Sequence, residues 1–251
     1  MTLDLLQSLP LARAGFRHAF FTRRGGHSPP PFDSLHFGGP GHDPATLAAN
    51  IGVAAKFLAV DPARLYVVTQ VHGRTVSFVR GDEDRAAVLG SSADVVATAT
   101  PGVACGVKVA DCVPILLADR KTGAVAAIHS GWQGTVANVV AAAVEALRGR
   151  IGDGDFMAAV GPHIEACCFE VGEDVAAKLE ARAPDAKVAD RSRGPRPYVD
   201  LRAIVHHQLR AAAIEDIDDV RGCTRCDAQR FFSYRRDRDA SGRQLAAIVA
   251  R

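Results

Sequence analysis

The spacing of apolar positions changes along this chain, and each change marks an expected element. Leu47, Ile51, Ala54 and Leu58 recur at helical spacing. Asp43-Pro44 just ahead of them supplies an N-cap and a proline for the first helical position. Leu65 to His72 is a β-rich run that reads as a strand, and a second strand is expected near Thr75 to Val79. The densest stretch runs from Asp94 to Leu147. Within it Val103 to Ala110, Ile115 to Asp119 and Ala124 to His129 each read as a strand, and Arg120 to Gly123 reads as a hairpin loop. Thr135 is read as the N-cap of a helix through Arg148, with Val136, Val139, Val140, Ala143 and Leu147 on its apolar face and Gly149 as its stop. Further helices are expected over 172–182 and over 201–213, the latter capped by Asp200, and Leu245 to Val249 reads as a last strand. Two stretches read as loops: the Gly-, Pro-, Ser- and His-rich segment 22–43, and Arg191 to Pro197. Strands and helices alternate without a strict βαβ rhythm, which predicts an α+β domain with mixed sheets over 1–251.

Composition narrows the function classes. The chain has 251 residues, 48% of them hydrophobic and 23% charged, the balance of a globular protein with a sizeable core. A formal net charge of +2 argues against an electrostatic nucleic-acid binder. No run of about 18 apolar residues predicts a membrane-spanning helix. Met1 to Pro10 contains Asp4 and lacks the basic start of a secretory signal. A cytoplasmic protein is expected, and its six cysteines then read as thiols or metal ligands. No glycine-rich phosphate fingerprint is present.

The hairpin permits a geometric step. If Asp119 pairs with Ala124, then Pro114 faces His129 and Cys112 faces Gly131. Side chains alternate with period two, so Cys112 and His129 become diagonal neighbours on one face, about 7–8 Å apart at the backbone. That lets a thiolate and an imidazole meet one ion. His72, followed by Gly73, is the best candidate for a third ligand. Three N/S ligands with a fourth position open is the pattern of a catalytic zinc site, where the metal lowers the pKa of bound water. Asp111, beside the thiolate, is placed to orient a ligand or move a proton. The competing reading is plain: a lone cysteine is usually a small buried hydrophobe, and a histidine at a strand end a satisfied polar residue.

The same residues carry a resemblance. Thr69-Gln-Val-His-Gly73, Ala110-Asp-Cys-Val-Pro114, His129-Ser-Gly-Trp-Gln-Gly134 and Val160-Gly-Pro-His-Ile-Glu165 are similar to motifs of the laccase-domain family, the YfiH-like proteins once labelled multicopper polyphenol oxidases. Thr22-Arg23 with Gly25-Gly26, Ser34-Leu35, Cys223-Thr224 with Asp227, Phe231-Phe-Ser-Tyr-Arg-Arg236 and Gly242-Arg-Gln244 extend the match nearly end to end. The resemblance implies a layered α/β/β/α sandwich with mixed sheets, and zinc ligands at His72, Cys112 and His129. It implies a purine nucleoside enzyme that cleaves adenosine, inosine, guanosine or methylthioadenosine with phosphate and deaminates adenosine. One bacterial branch is linked to editing of peptidoglycan precursors. Ser130 and Gln133 stand where the family usually has Ala and Arg, and His36-Phe37 where it has Asn-Leu, which puts phosphorolysis in question. Arg23 and Arg235, and the N-terminus of the helix expected from Thr135, are the alternative phosphate holders.

Other residues divide between chemistry and structure. Asn50 on the first helix is a substrate contact or a structural bond. Trp132 is core packing or a wall of a purine pocket. His163 reads as a surface histidine, and Cys167-Cys168 as buried thiols. Cys223-x-x-Cys226 lacks a second such pair to complete a four-thiolate zinc site. Three other functions compete: a copper oxidase, disfavoured because no His-x-His pairs feed a copper cluster; a cysteine hydrolase with Cys112 as nucleophile and His129 as base; and a metal-stabilised binding module without turnover. Neither a nucleic acid nor a membrane is expected as partner, and the oligomeric state is left open.

Overall fold

The structure, a computed structural model, describes residues 2–38 and 43–251. Residues 39–42 of the expected 22–43 loop lie outside the described residues. Two sheets pack face to face. One runs in the order Leu5–Leu6, His18–Phe21, Gln244–Val249, Ala104–Val109, Leu65–Tyr66. The other runs Asp216–Asp219, Phe156–Val160, Val113–Asp119, Val125–Ser130, Val95–Thr98, Val76–Phe78. Both mix parallel and antiparallel pairs, as expected.

Period-two alternation explains the layering. In Val113–Asp119 every residue is buried, because the strand has core on both sides. Leu116 and Ala118 join Val107, Ala246 and Ile248 of the opposite sheet. Ile115 and Leu117 point the other way, against Val140, Val144 and Leu147 of one helix and Ile204 and Val205 of another. The five-stranded sheet covers its outer face with Ile51, Ala54 and Leu58 of Pro44–Leu58. That helix begins as its sequence dictates: Asp43 accepts from the Thr46 amide and Pro44 fills the first turn. The result is the α/β/β/α sandwich.

The hairpin has the register argued above. Pro114 pairs with His129, Ile115 with Ile128 and Ala118 with Val125. Two elements differ. The expected helix from Thr135 is two helices, Trp132–Val136 and Val139–Ile151, separated by Asn138 at φ 56°. Asn138, not Thr135, is the cap of the longer one, accepting from the Ala141 amide, and Gly152 rather than Gly149 ends it. The Thr135 hydroxyl instead bonds the Gly131 carbonyl within the first turn. The strand expected over Leu65 to His72 pairs only at Leu65–Tyr66. Beyond it the Gln70 side chain replaces the ladder, donating to the Lys108 carbonyl at 2.7 Å and accepting from the Lys108 amide at 2.8 Å. Thr69 meanwhile bonds toward Ser91 and Ala93. No helix among the described residues is long and apolar enough to cross a membrane.

Candidate functional site

One end of the hairpin and the turn at His72 build the site. His72, Cys112 and His129 each present a ligand atom, and these atoms all lie within 4.8 Å of one another. His129 is buried on the strand Val125–Ser130. Cys112 precedes Val113–Asp119, and His72 sits on an exposed turn at φ 61°. The two imidazoles meet edge to face, centroids 5.0 Å apart.

Asp94, which the sequence reading did not single out, organises two of the three. Its carboxylate accepts from His129 Nδ1 at 2.8 Å and from the amides of His72 and Gly73 at 2.9 and 2.6 Å. A carboxylate only accepts, so Nδ1 carries a proton, and Nε2, the nitrogen turned to Cys112, is the atom an ion would take in place of its proton. The available signal was an aspartate directly before the apolar run Val95-Val-Ala97, where an unpaired carboxylate would be costly to bury. Burial pushes the Cys112 thiol up, but the charge of His129 and hydrogen bonds from His129 and His72 outweigh it and bring it to about 6. Burial opposes the charged form of His129, and the Cys112 thiolate with Asp94 outweighs it and raises its pKa. The donors are thus a thiolate and two imidazoles, a set that suits zinc. Gly131 leaves the room: a Cβ there would stand 2.8 Å from His72 Cδ2 and 3.0 Å from Cys112 Sγ.

The triad opens into a cavity of about 630 Å³, within the range of small-molecule sites. Trp132, Phe169 and Tyr234 give it aromatic walls, and Lys108, Arg235, Arg238 and Arg243 line it with positive charge. Asp111 is the one acidic residue among the described residues of the lining, and both its oxygens accept hydrogen bonds. Oδ1 accepts from the Thr224 hydroxyl and Oδ2 from the Arg235 amide, each at 2.6 Å. Asp111 therefore braces the loop beside Cys112, and no hydrogen bond joins it to a histidine of the triad; orienting a ligand falls to Asp94.

The expected substrate contacts divide. Gln133 and Arg235 line the cavity, and Arg235 also donates to the Glu170 carbonyl at 2.7 Å. Arg23 lies elsewhere: it donates to the carbonyls of Asp33, Ala228 and Pro31 and stacks 4.5 Å over Phe232, so its charge is spent on holding its loop. Asn50 is also away from the cavity. It is fully buried, accepting from the His27 amide and donating to Ser28 Oγ and the His36 carbonyl. Trp132 is both wall and packing, half-buried against the helical core. His163 is buried rather than on the surface. Burial, and then the Arg202 charge, push its pKa to about 3, so it stays neutral and donates to the Gly161 carbonyl. Cys168 is buried and Cys167 exposed.

Comparison with known proteins agrees with this architecture. A purine nucleoside phosphorylase of Streptomyces coelicolor is 42% identical over 240 residues, covering 94% of this chain and 95% of the relative. One from Deinococcus radiodurans is 37% identical over 251 residues, covering 96% and 92%. The crystal structure of YlmD from Geobacillus stearothermophilus superposes with a TM-score of 0.89 at 30% identity, covering 97% of this chain and 94% of that one. The YfiH protein of Bacillus licheniformis also gives 0.89, at 27% identity, covering 99% and 97%. The family described as multi-copper polyphenol oxidoreductase laccase matches residues 17–251, and this chain belongs to it.

Proposed function

We propose that this chain is a zinc-dependent purine nucleoside enzyme. It would cleave adenosine, inosine, guanosine or methylthioadenosine with phosphate, and deaminate adenosine. The observation that carries the reading is the three-donor cluster at the edge of an aromatic, positively charged cavity. Relatives named purine nucleoside phosphorylase support it. His72, Cys112 and His129 would hold the metal, which supplies Lewis acidity when bound.

The chain's own residues account for the rest of a phosphorolysis. Trp132, Phe169 and Tyr234 offer flat apolar faces to a purine. Phosphate must be held against C1′ of the ribose while the bond to the purine nitrogen breaks. Arg235, with Lys108 and Arg243 nearby, is suited to that dianion through charge-assisted hydrogen bonds. Asp111 keeps Arg235 in place through the backbone, and Asp94 keeps His129 in one tautomer. The Asp111 carboxylate is turned to Thr224 and the Arg235 amide, and the cations Lys108, Arg235, Arg238 and Arg243 outnumber it among the described lining residues.

One observation favours a second reading. Cys112, His129 and Asp94 also form a nucleophile, base and orienter series, the arrangement a cysteine hydrolase would use, and its substrate would then be the peptide bond of a peptidoglycan precursor. The deciding experiment incubates purified, zinc-loaded protein with adenosine, with and without phosphate, beside Cys112→Ala, and resolves products by chromatography. Phosphate-dependent adenine, or phosphate-independent inosine, lost in the variant and in chelator, supports the purine reading. No product from folded, metal-loaded protein overturns it for adenosine. Hydrolysis of a peptidoglycan peptide at full rate in chelator establishes the alternative.

A further inference from the structure

The structure brings together four cysteines that are far apart in sequence. Cys167 and Cys168 lie on the turn after Phe156–Val160, and Cys223 and Cys226 on the turn after Asp216–Asp219. Those two strands pair in parallel, and a bridge from His163 to Cys223 continues the pairing past their ends. Both turns therefore leave the same end of the sheet side by side. The adjacent pair Cys167-Cys168 completes the set that the lone Cys-x-x-Cys motif lacked.

We infer that these four thiols form a second, structural zinc site. Their sulfurs all lie within 4.8 Å of one another. Three of the separations are 3.6 Å (Cys167–Cys168), 3.7 Å (Cys167–Cys226) and 3.3 Å (Cys168–Cys226). A tetrahedron of sulfurs at 2.3 Å from zinc has edges of about 3.8 Å. A disulfide would need about 2.05 Å, and all four cysteines are free. The surroundings suit a centre of net charge −2. Arg225 bonds Cys168, the amides of Glu165 and Cys226 donate to Cys223, and Arg193 donates to the carbonyls of Ala166 and Cys167 at 2.9 and 3.1 Å. Binding releases the thiol protons as four Zn–S bonds form. With four protein ligands no position stays open, unlike the His72–Cys112–His129 cluster.

The ion would clamp two turns that shape the cavity. One carries Phe169 and the Glu170 carbonyl that holds Arg235; the other carries Thr224, which holds Asp111. The test uses the metal alone and a chain in which the first cluster is disabled. Cys112→Ala, purified under reducing conditions and loaded with Zn²⁺, should hold one zinc per chain by mass spectrometry of the metal. Its Co²⁺ form should show intense sulfur-to-cobalt charge transfer, and both signals should vanish in Cys112→Ala/Cys223→Ser/Cys226→Ser. Should that variant unfold, alkylation of folded Cys112→Ala decides. Four thiols protected by Zn²⁺ and released by chelator support the site. A folded Cys112→Ala chain with no bound zinc, or a Cys168–Cys226 disulfide in protein kept reduced, overturns it. Neither result depends on whether the purine reaction is observed.

Discussion

Replacing Asp94 by Asn tests the reasoning about the first cluster most directly. Asp94 is fully buried and accepts from His129 Nδ1 at 2.8 Å and from the amides of His72 at 2.9 Å and Gly73 at 2.6 Å. Asn keeps one acceptor oxygen and sets an NH₂ against the other donors. Whichever way the amide turns, at least one short donor is left unpaired, costing about 1–3 kcal/mol. The surviving bonds lose their charge assistance, roughly another 1 kcal/mol. The expected loss is therefore about 2–4 kcal/mol, which leaves an ordinary domain folded. Zinc affinity at the triad should fall about 10–100-fold, because His129 loses the partner that fixes its tautomer. Urea unfolding of the metal-free chain reads the first number. Competition with a chromogenic chelator reads the second, with Cys112→Ala reporting any zinc held elsewhere. Stability and zinc affinity both within twofold of the parent would refute the role given to Asp94.

Four further outcomes are expected. Gly131→Ala places a methyl 2.8 Å from His72 Cδ2 and 3.0 Å from Cys112 Sγ, so zinc affinity should drop about tenfold or more from overpacking of 1–3 kcal/mol, read by the same competition assay. Asn50→Ala strands the His27 amide and two further partners, and should lower stability to urea by about 2–4 kcal/mol; a raised KM at unchanged stability would instead make Asn50 a substrate contact. Asp119 is buried, which pushes its pKa up, yet bonds from Thr122 and the Asp155 amide hold it below the usual carboxylate range. Its contribution is therefore complete above the unfolded-state pKa of about 3.9 and is lost as pH falls through the lower folded value, so Asp119→Asn should flatten the acid limb of a stability–pH curve. Gln133→Arg should lower the KM for phosphate about tenfold by adding one charge-assisted contact to the cavity, measured by initial rates at varied phosphate.

Legibility in the sequence followed the range of the interactions. Two apolar runs and a four-residue loop fix a hairpin locally, so the pairing of Pro114 with His129 could be worked out, and with it the meeting of Cys112 and His129. The helix break at Asn138 was hidden because Val136 to Val140 keeps an apolar pattern across it, while asparagine enters the left-handed region at little cost. Arg23 and Asn50 drew functional readings because polar groups on a long loop and a helix give no sign of their partners. Most of those partners are backbone carbonyls and amides, which have no sequence identity. The cysteine tetrad was illegible for a related reason. Its two halves meet only because Phe156–Val160 pairs in parallel with Asp216–Asp219, a contact no local period encodes.

The two clusters also differ in how their geometry is fixed. At the triad, His72 itself has φ 61° and Asp111, next to Cys112, has φ 89°, conformations that cost on the order of 1–3 kcal/mol each for residues with a Cβ. Each is held by a carboxylate. Asp94 gathers the amides of His72 and Gly73, and Asp111 ties itself to Thr224 and Arg235 while its carbonyl accepts from Ile164. These protein bonds offset the strain and fix where His72 and Cys112 stand. A metal held there would keep one face toward the cavity. At the tetrad the sulfurs sit on two turns, with an exposed cysteine on each. An ion there would add a second tie to the one the His163–Cys223 bridge already makes between the turns, beside the walls around Phe169 and Arg235.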